Sequence, residues 1–397
     1  VYTYFRGDSS GKEIYADKEH FNDAYRFEFY EGDYEVRDSL SIDYIVIYSG
    51  GFNTNDHPLN LSGMNIEKDA YKNIHLGRSI IHATNWELDA DDLTLDADEA
   101  TINITNGDFW GNRDGYDVKY GHLILEGNIH LLNNADYDTL EFRPGSNIEI
   151  GVGSTINVDH LIANGEQNNR ISLASVSNGG SSTISKASGT VNASYLDIRD
   201  NTVTGGATFN ATFSDTISNV SGWNLLKVDQ TISFAFADTQ YTVQPLILDA
   251  DAESGGTVTY EVISGAATVN HDTLLLESTG TIELAAYQSG TSYYLPSDTV
   301  TTSFEVLKGE QVIAFDSVPP VEVTSGYTIL EAEASSELDV VYEVLEGNSN
   351  ISGDTLFVSD TGMVKVKAKQ GGSELFYAAD SVIRDIQVIR GSQSITF

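Results

Sequence analysis

The sequence predicts an all-β chain: a right-handed parallel β-helix (a solenoid) followed by tandem immunoglobulin-like β-sandwiches. Three observations predict it. Short runs of alternating apolar and polar residues recur along the chain, as in strands with one buried face. No run carries the apolar stripe that a helix would bury. The C-terminal half repeats itself at steps of 81 and 82 residues.

The repeat is explicit. Gln230-Thr-Ile-Ser-Phe234 returns as Gln311-Val-Ile-Ala-Phe315 and as Gln393-Ser-Ile-Thr-Phe397. Val258-Thr-Tyr-Glu-Val262 matches Val340-Val-Tyr-Glu-Val344, and Asp272-Thr-Leu274 matches Asp354-Thr-Leu356. Gln288 matches Gln370, and Lys308-Gly309 matches Arg390-Gly391. Each unit reads as six or seven short strands broken by Gly, Asn, Asp and Ser, a pattern that suits a small β-sandwich. The expected boundaries are 227–309 and 310–391, with 392–397 as the first strand of a third copy and further copies beyond.

The preceding region, 50–226, behaves differently. Apolar pairs recur closely at Ile74 and Leu76, Trp86 and Leu88, Leu93 and Leu95, Ile102 and Ile104, Leu123 and Leu125, Ile129 and Leu131, Ile148 and Ile150. Gly, Asn or Asp separates the runs and supplies the left-handed corners. Such short, close-set strands fit stacked coils; an antiparallel sandwich is the alternative. Residues 1–49, with Tyr25-Arg-Phe-Glu-Phe-Tyr30 and Ile42-Asp-Tyr-Ile-Val-Ile-Tyr48, are either the first coils or the end of an upstream domain.

These motifs carry a resemblance. The two C-terminal units resemble the immunoglobulin-like repeats of large Bacteroidetes surface proteins. The resemblance rests on Gln-x-Ile-x-Phe, the Val-x-Tyr-x-Val strand, and Ala286-Tyr-Gln-Ser-Gly290 with its counterpart Ala368-Lys-Gln-Gly371. Asn169-Arg-Ile-Ser-Leu173, Tyr195-Leu-Asp-Ile-Arg-Asp200 and Ser221-Gly-Trp223 resemble a module that precedes such repeats, in which Gly-Trp closes the solenoid. The resemblance implies an exported protein of the outer cell surface. Its setting would be that of attachment and gliding-motility adhesins exported by type IX secretion. It also implies O-glycosylation at Asp-Ser/Thr sites, here Ser39, Thr139, Thr216, Thr273, Thr299, Ser317, Thr355 and Ser381; Asp-Thr also suits β-turns.

Composition bounds the rest. The 397 residues are too many for one ordinary core. The first residue is Val1 rather than Met, so a mature form or a fragment is expected. Fifty-nine acidic residues against 21 Lys and Arg give a formal charge of −38, which repels nucleic acid and anionic surfaces. Cysteine is absent, which excludes disulfides and thiolate chemistry. No apolar run is long enough for a membrane helix, so direct insertion is not expected.

Oxygen-rich clusters are the candidate metal ligands. Asp89, Asp91, Asp92, Asp96, Asp98 and Glu99 surround Leu93 and Leu95, and Asn112-Arg-Asp-Gly-Tyr-Asp117 offers Asp114 and Asp117. Calcium is the cation such oxygens would take; an outward, solvated face is the competing reading, and no EF-hand spacing is present. No other cofactor is expected. Arg6-Gly7-Asp8 is an integrin-type tripeptide that short length makes uninformative. The histidines show no metal-site spacing, and His75, His82, His122 and His130 fall in strands or their turns.

No acid–base pair is identifiable, so an enzyme is not expected. The chain reads as a structural or adhesive stalk segment whose partner is an extracellular surface, glycan or protein, with neighbouring repeats of the same chain as further contacts. One alternative is a carbohydrate-binding or carbohydrate-active β-helix using Trp110 and Tyr116 beside Asp114 and Asp117. The other is an extracellular filament subunit.

Overall fold

The computed structural model describes residues 2–7, 10–16, 25–68, 70–90, 92–111, 118–132, 134–235, 239–241, 245–392 and 394–395. It divides into two compact units, Val1–Val228 and Asp229–Phe397. Among the described residues there is no α-helix, only one 3₁₀ turn at Val323–Ser325.

The first unit is a β-solenoid of about nine turns. Its strands pair in parallel, each with the strand one turn away, and paired residues on neighbouring turns lie from 14 to 28 residues apart. Parallel stacking puts like positions on top of each other, so the inward side chains form continuous rows. One row runs Phe27, Ile45, Met64, Trp86, Phe109, Leu131, Ile150. A second runs Leu40, Leu59, Ile81, Ile102, Leu123, Leu140, Leu161. A third runs Tyr34, Phe52, Ile74, Leu95. They join one core reaching from Ile14 to Phe209. Each fully buried member contributes about 1.5–3 kcal/mol of transfer free energy.

The strands Tyr2–Arg6, Arg26–Tyr30 and Leu40–Ile47 belong to the same parallel ladder, so these strands lie in turns of the solenoid. At the other end Trp223 packs edge-on to Phe209 at 5.5 Å, and its Nε1 donates to the buried Asn201 Oδ1 at 3.1 Å. Asn201 Nδ2 in turn donates to the buried Ser182 Oγ. The tryptophan thus covers the last row and satisfies a polar pair that would otherwise be buried without an acceptor's partner.

Many corners obey the expected chemistry, although Glu31, Tyr195 and Phe213 also adopt positive φ. Asn55, Asp56, Asn106, Asp200 and Asn219 all adopt positive φ. Asn106 Oδ1 accepts the Asn128 N–H of the next turn at 3.0 Å and lies where a Cβ on Gly127 would be, 2.1 Å away. With φ at +80°, Gly127 is required on both counts.

The second unit contains two bodies built alike. Each has a two-stranded, a four-stranded and a three-stranded sheet, around separate cores centred on Leu274, Leu284 and Phe304 in the first and on Leu356, Val366 and Ile386 in the second. This is a finer division than the six or seven strands expected, because tight turns cut the runs into short hairpin arms. An edge pairing is also parallel, Val321–Glu322 on Val388–Ile389, where alternation alone cannot tell direction.

Three repeated motif residues, two glutamines and a tyrosine, turn out to be polar devices. Gln311 Nε2 donates to Gln370 Oε1 and to the Tyr377 carbonyl at 2.6 Å, and Gln370 Oε1 also accepts the Gly372 N–H at 2.6 Å. The first body repeats this with Gln230, Gln288, Leu295 and Gly290. The tyrosine of Val-x-Tyr-x-Val folds back on the preceding strand. Tyr342 Oη donates to the Leu330 carbonyl at 3.0 Å and accepts the Ala332 N–H at 2.8 Å, and Tyr260 does the same with Leu248 and Ala250. Replacing Tyr342 by Phe removes both bonds without removing the ring. The expected loss is about 1–3 kcal/mol in denaturant titration of the second body; an unchanged midpoint would refute the role of the hydroxyl.

The bodies are stitched at Gly309. Its N–H donates to the Leu375 carbonyl and its carbonyl accepts the Tyr377 N–H, both at 2.9 Å, while Lys308 Nζ donates to the Ser373 carbonyl at 2.6 Å.

Candidate functional site

Outward side chains of the solenoid stack in rows just as inward ones do, and most are committed to each other. His130 lies between Asp108 and Glu149 of the adjacent turns, with Nδ1 to Asp108 Oδ1 at 2.7 Å and Nε2 to Glu149 Oε2 at 3.3 Å. His122 Nε2 meets Glu141 Oε2 at 3.0 Å, and Arg143 binds the other oxygen of that carboxylate at 2.7 Å. His75 meets Asp96 at 3.3 Å. Asn157 donates to Asp136, and Lys119 bridges to Asp159 at 3.0 Å and Asp138 at 3.7 Å. The hydrogen bond between Lys119 and Asp159 holds the ammonium above its ordinary pKa and the carboxyl below its own.

The first turns carry alternating tyrosine and arginine. The Arg6 guanidinium lies 4.9 Å from the Tyr30 ring centre, and Tyr30 stacks on Tyr48 at 4.4 Å. Arg26 sits between Tyr2 at 5.9 Å and Tyr44 at 5.6 Å and pairs with Glu28. Tyr44 can lie flat because its neighbour one turn on is Gly63, where a Cβ would come within 2.2 Å of the ring.

The described acids near Leu93 and Leu95 have separate surroundings. Asp96 is turned to His75 and Glu99 to Arg78, Asp89 is half-buried, and Asp92 and Asp98 are exposed. Asp91, Asp114 and Asp117 lie outside the described residues, as do Tyr116 and Asp8. Among the described residues no three acidic or histidine side chains converge on a point that could hold a metal ion. Trp110 is half-buried at the end of its strand, beside Glu87 and Leu132 of the adjacent turns.

Of the Asp-Ser/Thr positions, Ser39, Thr216, Thr299, Ser317 and Ser381 are exposed, whereas Thr139, Thr273 and Thr355 are half-buried. Thr273 and Thr355, at equivalent places in the two repeats, each donate the hydroxyl to the adjoining Asp272 or Asp354. Of the segment expected to open a third repeat, Gln393, Thr396 and Phe397 lie outside the described residues.

Sequence reasoning missed three features. Lys72 is fully buried, with its ammonium donating to the Ala70 carbonyl at 2.7 Å. Arg170 is clamped by Asp197 and Asp215 and by the Leu196 and Phe213 carbonyls. A shallow groove of about 330 Å³ opens on the outer face over Ser41, Asp43, Asn60, Ser62, His82, Thr84 and Thr105. The partners of Arg170 and the groove lining were not legible as sets, since their residues lie one to three turns apart in sequence.

What the fold defines is an all-β chain with a solenoid and two serial β-bodies. No family model matches the chain and no curated protein does. Among solved structures it is similar to Drosophila N-cadherin EC1-4 at 10% identity and a TM-score of 0.17, covering 44% of this chain and 54% of that one. The D00-D0 domain of intimin matches at 12% and 0.15, covering 39% and 98%. Chitinase ChiW of Paenibacillus sp. matches at 13% and 0.18, covering 71% and 25%. The chain thus spans about half of the N-cadherin fragment and a quarter of the chitinase. Scores this low assign no function. No helix of the described residues is long and apolar enough to cross a membrane.

Proposed function

We propose that this chain is a structural and adhesive segment of an exported cell-surface protein, in which the two serial bodies are immunoglobulin-like sandwiches acting as a stalk. The observation that supports this reading is modularity. Each body has its own core and repeats the same glutamine and tyrosine devices, and the two are joined through the Gly309 bridge. Side chains on the solenoid face water largely as paired ions and amides, which suits a surface that endures and does not convert substrates.

Single-molecule stretching of the whole chain tests the reading. Two equal steps are expected from the repeats. Each should release about 80 residues, or roughly 27 nm at ~3.4 Å per residue. One merged step, or none, would overturn the stalk. O-glycosylation is part of the same proposal. Thr299 and Ser381, exposed at equivalent positions, are the pair best placed for it; peptide mass spectrometry of native material with both bare would remove them.

A further inference from the structure

We propose that the groove over Ser41, Asn60 and His82 binds a neutral oligosaccharide. Two rows build it. Ser41, Asn60, His82 and Asn103 stand in register on successive turns. Beside them run Ser62, Thr84 and Thr105, with Asp43 at one end. Turns are about 4.8 Å apart and alternate residues about 6.7 Å apart along a strand. The rows therefore offer a lattice of polar groups some 14 Å long.

The side chains here are uncommitted, and that sets the groove apart. Elsewhere the stacked polar residues bond across turns: His130 with Asp108, His122 with Glu141, Asn157 with Asp136, Asn210 with Asn192. In the groove, His82 separates the two asparagines that would otherwise pair, and no neighbour supplies it with a carboxylate. Asn60, Ser62, His82 and Thr105 are exposed, while Ile42, Leu61 and Ala83 beneath them are buried and fix the strands that present them.

The donor set chooses the ligand class. Hydroxyls, amides and an imidazole both donate and accept, which matches the hydroxyls of a sugar. The groove lining has no Lys or Arg, and its one charge is the Asp43 carboxylate. With a formal charge of −38 behind it, it disfavours uronates, sulfates and phosphates. This deepens the adhesive reading by naming the ligand class, and it rests on that reading only for the extracellular setting.

Calorimetric titration of the full chain with cellohexaose, xylohexaose, laminarihexaose and chitohexaose tests it, with a hyaluronan hexasaccharide as the anionic comparison. At least one neutral hexasaccharide should bind, and the hyaluronan should not. Asn60→Ala with His82→Ala should weaken that binding at least tenfold, and Ser62→Tyr, which fills the groove, should abolish it. His160→Ala, at an exposed histidine outside the groove, should leave it unchanged. All four positions are surface ones, so an unchanged melting temperature certifies the fold. Absence of binding to all four neutral sugars, tighter binding of hyaluronan, or full binding by the groove variants would overturn the proposal. None of these results bears on the stretching experiment, so the stalk and the groove stand or fall separately.

Discussion

Replacing Trp86 by alanine is expected to cost the solenoid about 3–5 kcal/mol, the range for deleting a large buried aromatic side chain. Trp86 is fully buried in the middle of an inward row, stacked on Phe109 at 6.0 Å and edge-on to Tyr120 at 6.2 Å. Its loss does more than open a cavity. Trp86 Nε1 donates to Tyr120 Oη at 3.2 Å, and Tyr120 Oη donates to the Gly111 carbonyl at 2.8 Å. Burial already holds the Tyr120 and Tyr137 hydroxyls well above their ordinary pKa, the mark of a dry surrounding. Alanine removes the donor from that chain. Denaturant titration followed by far-ultraviolet circular dichroism reads the effect. Trp86→Phe should recover most of the packing loss but not the hydrogen bond. A cost below about 1 kcal/mol for the alanine variant would contradict the packing described.

The second large effect is expected at Gln311. Alanine there leaves the Tyr377 carbonyl without its donor and opens space beside Gln370, in a place where both glutamines are buried. One orphaned buried group costs about 1–3 kcal/mol, and the cavity adds to it, for a total of about 2–4 kcal/mol. Gln311→Leu separates the parts, because it restores volume and not polarity. The double variant with Gln370→Ala should cost clearly less than the sum of the singles, as residues in one network couple. Additive costs would mean that the glutamines act independently. In the first body the equivalent change, Gln230→Ala, should cost less, because Gln230 Oε1 has no hydrogen-bond partner to lose, whereas Gln311 Oε1 accepts from Ser336.

Much of this architecture was legible because periodicity and repetition are local. Val340, Tyr342 and Val344 announce a strand by alternation, and Gln311 announces a repeat by recurring. Asn106 and Gly127 announce corners by their conformational freedom. What those residues do was not legible. That Gln311 reaches Gln370, 59 residues away, depends on which strands close the sheet. The His130 pairing was hidden for a related reason. In a stack the neighbours that matter sit one turn off, and turn length varies, so no fixed spacing marks Asp108 and Glu149. For the same reason Asp96 and Glu99, close to each other along the chain, pair with His75 and Arg78 of the preceding turn.

The uneven turns have an evolutionary consequence. Opposite Asn106 a surplus residue leaves at the corner, and the two long inward rows stay in step above and below it. A whole turn could therefore be duplicated or deleted while each remaining side chain still met a neighbour of its own kind. A single inserted residue within a strand would instead turn every later side chain of that strand inside out. Length in such a body is a tally of interchangeable rungs, open to change by unequal recombination at little thermodynamic risk.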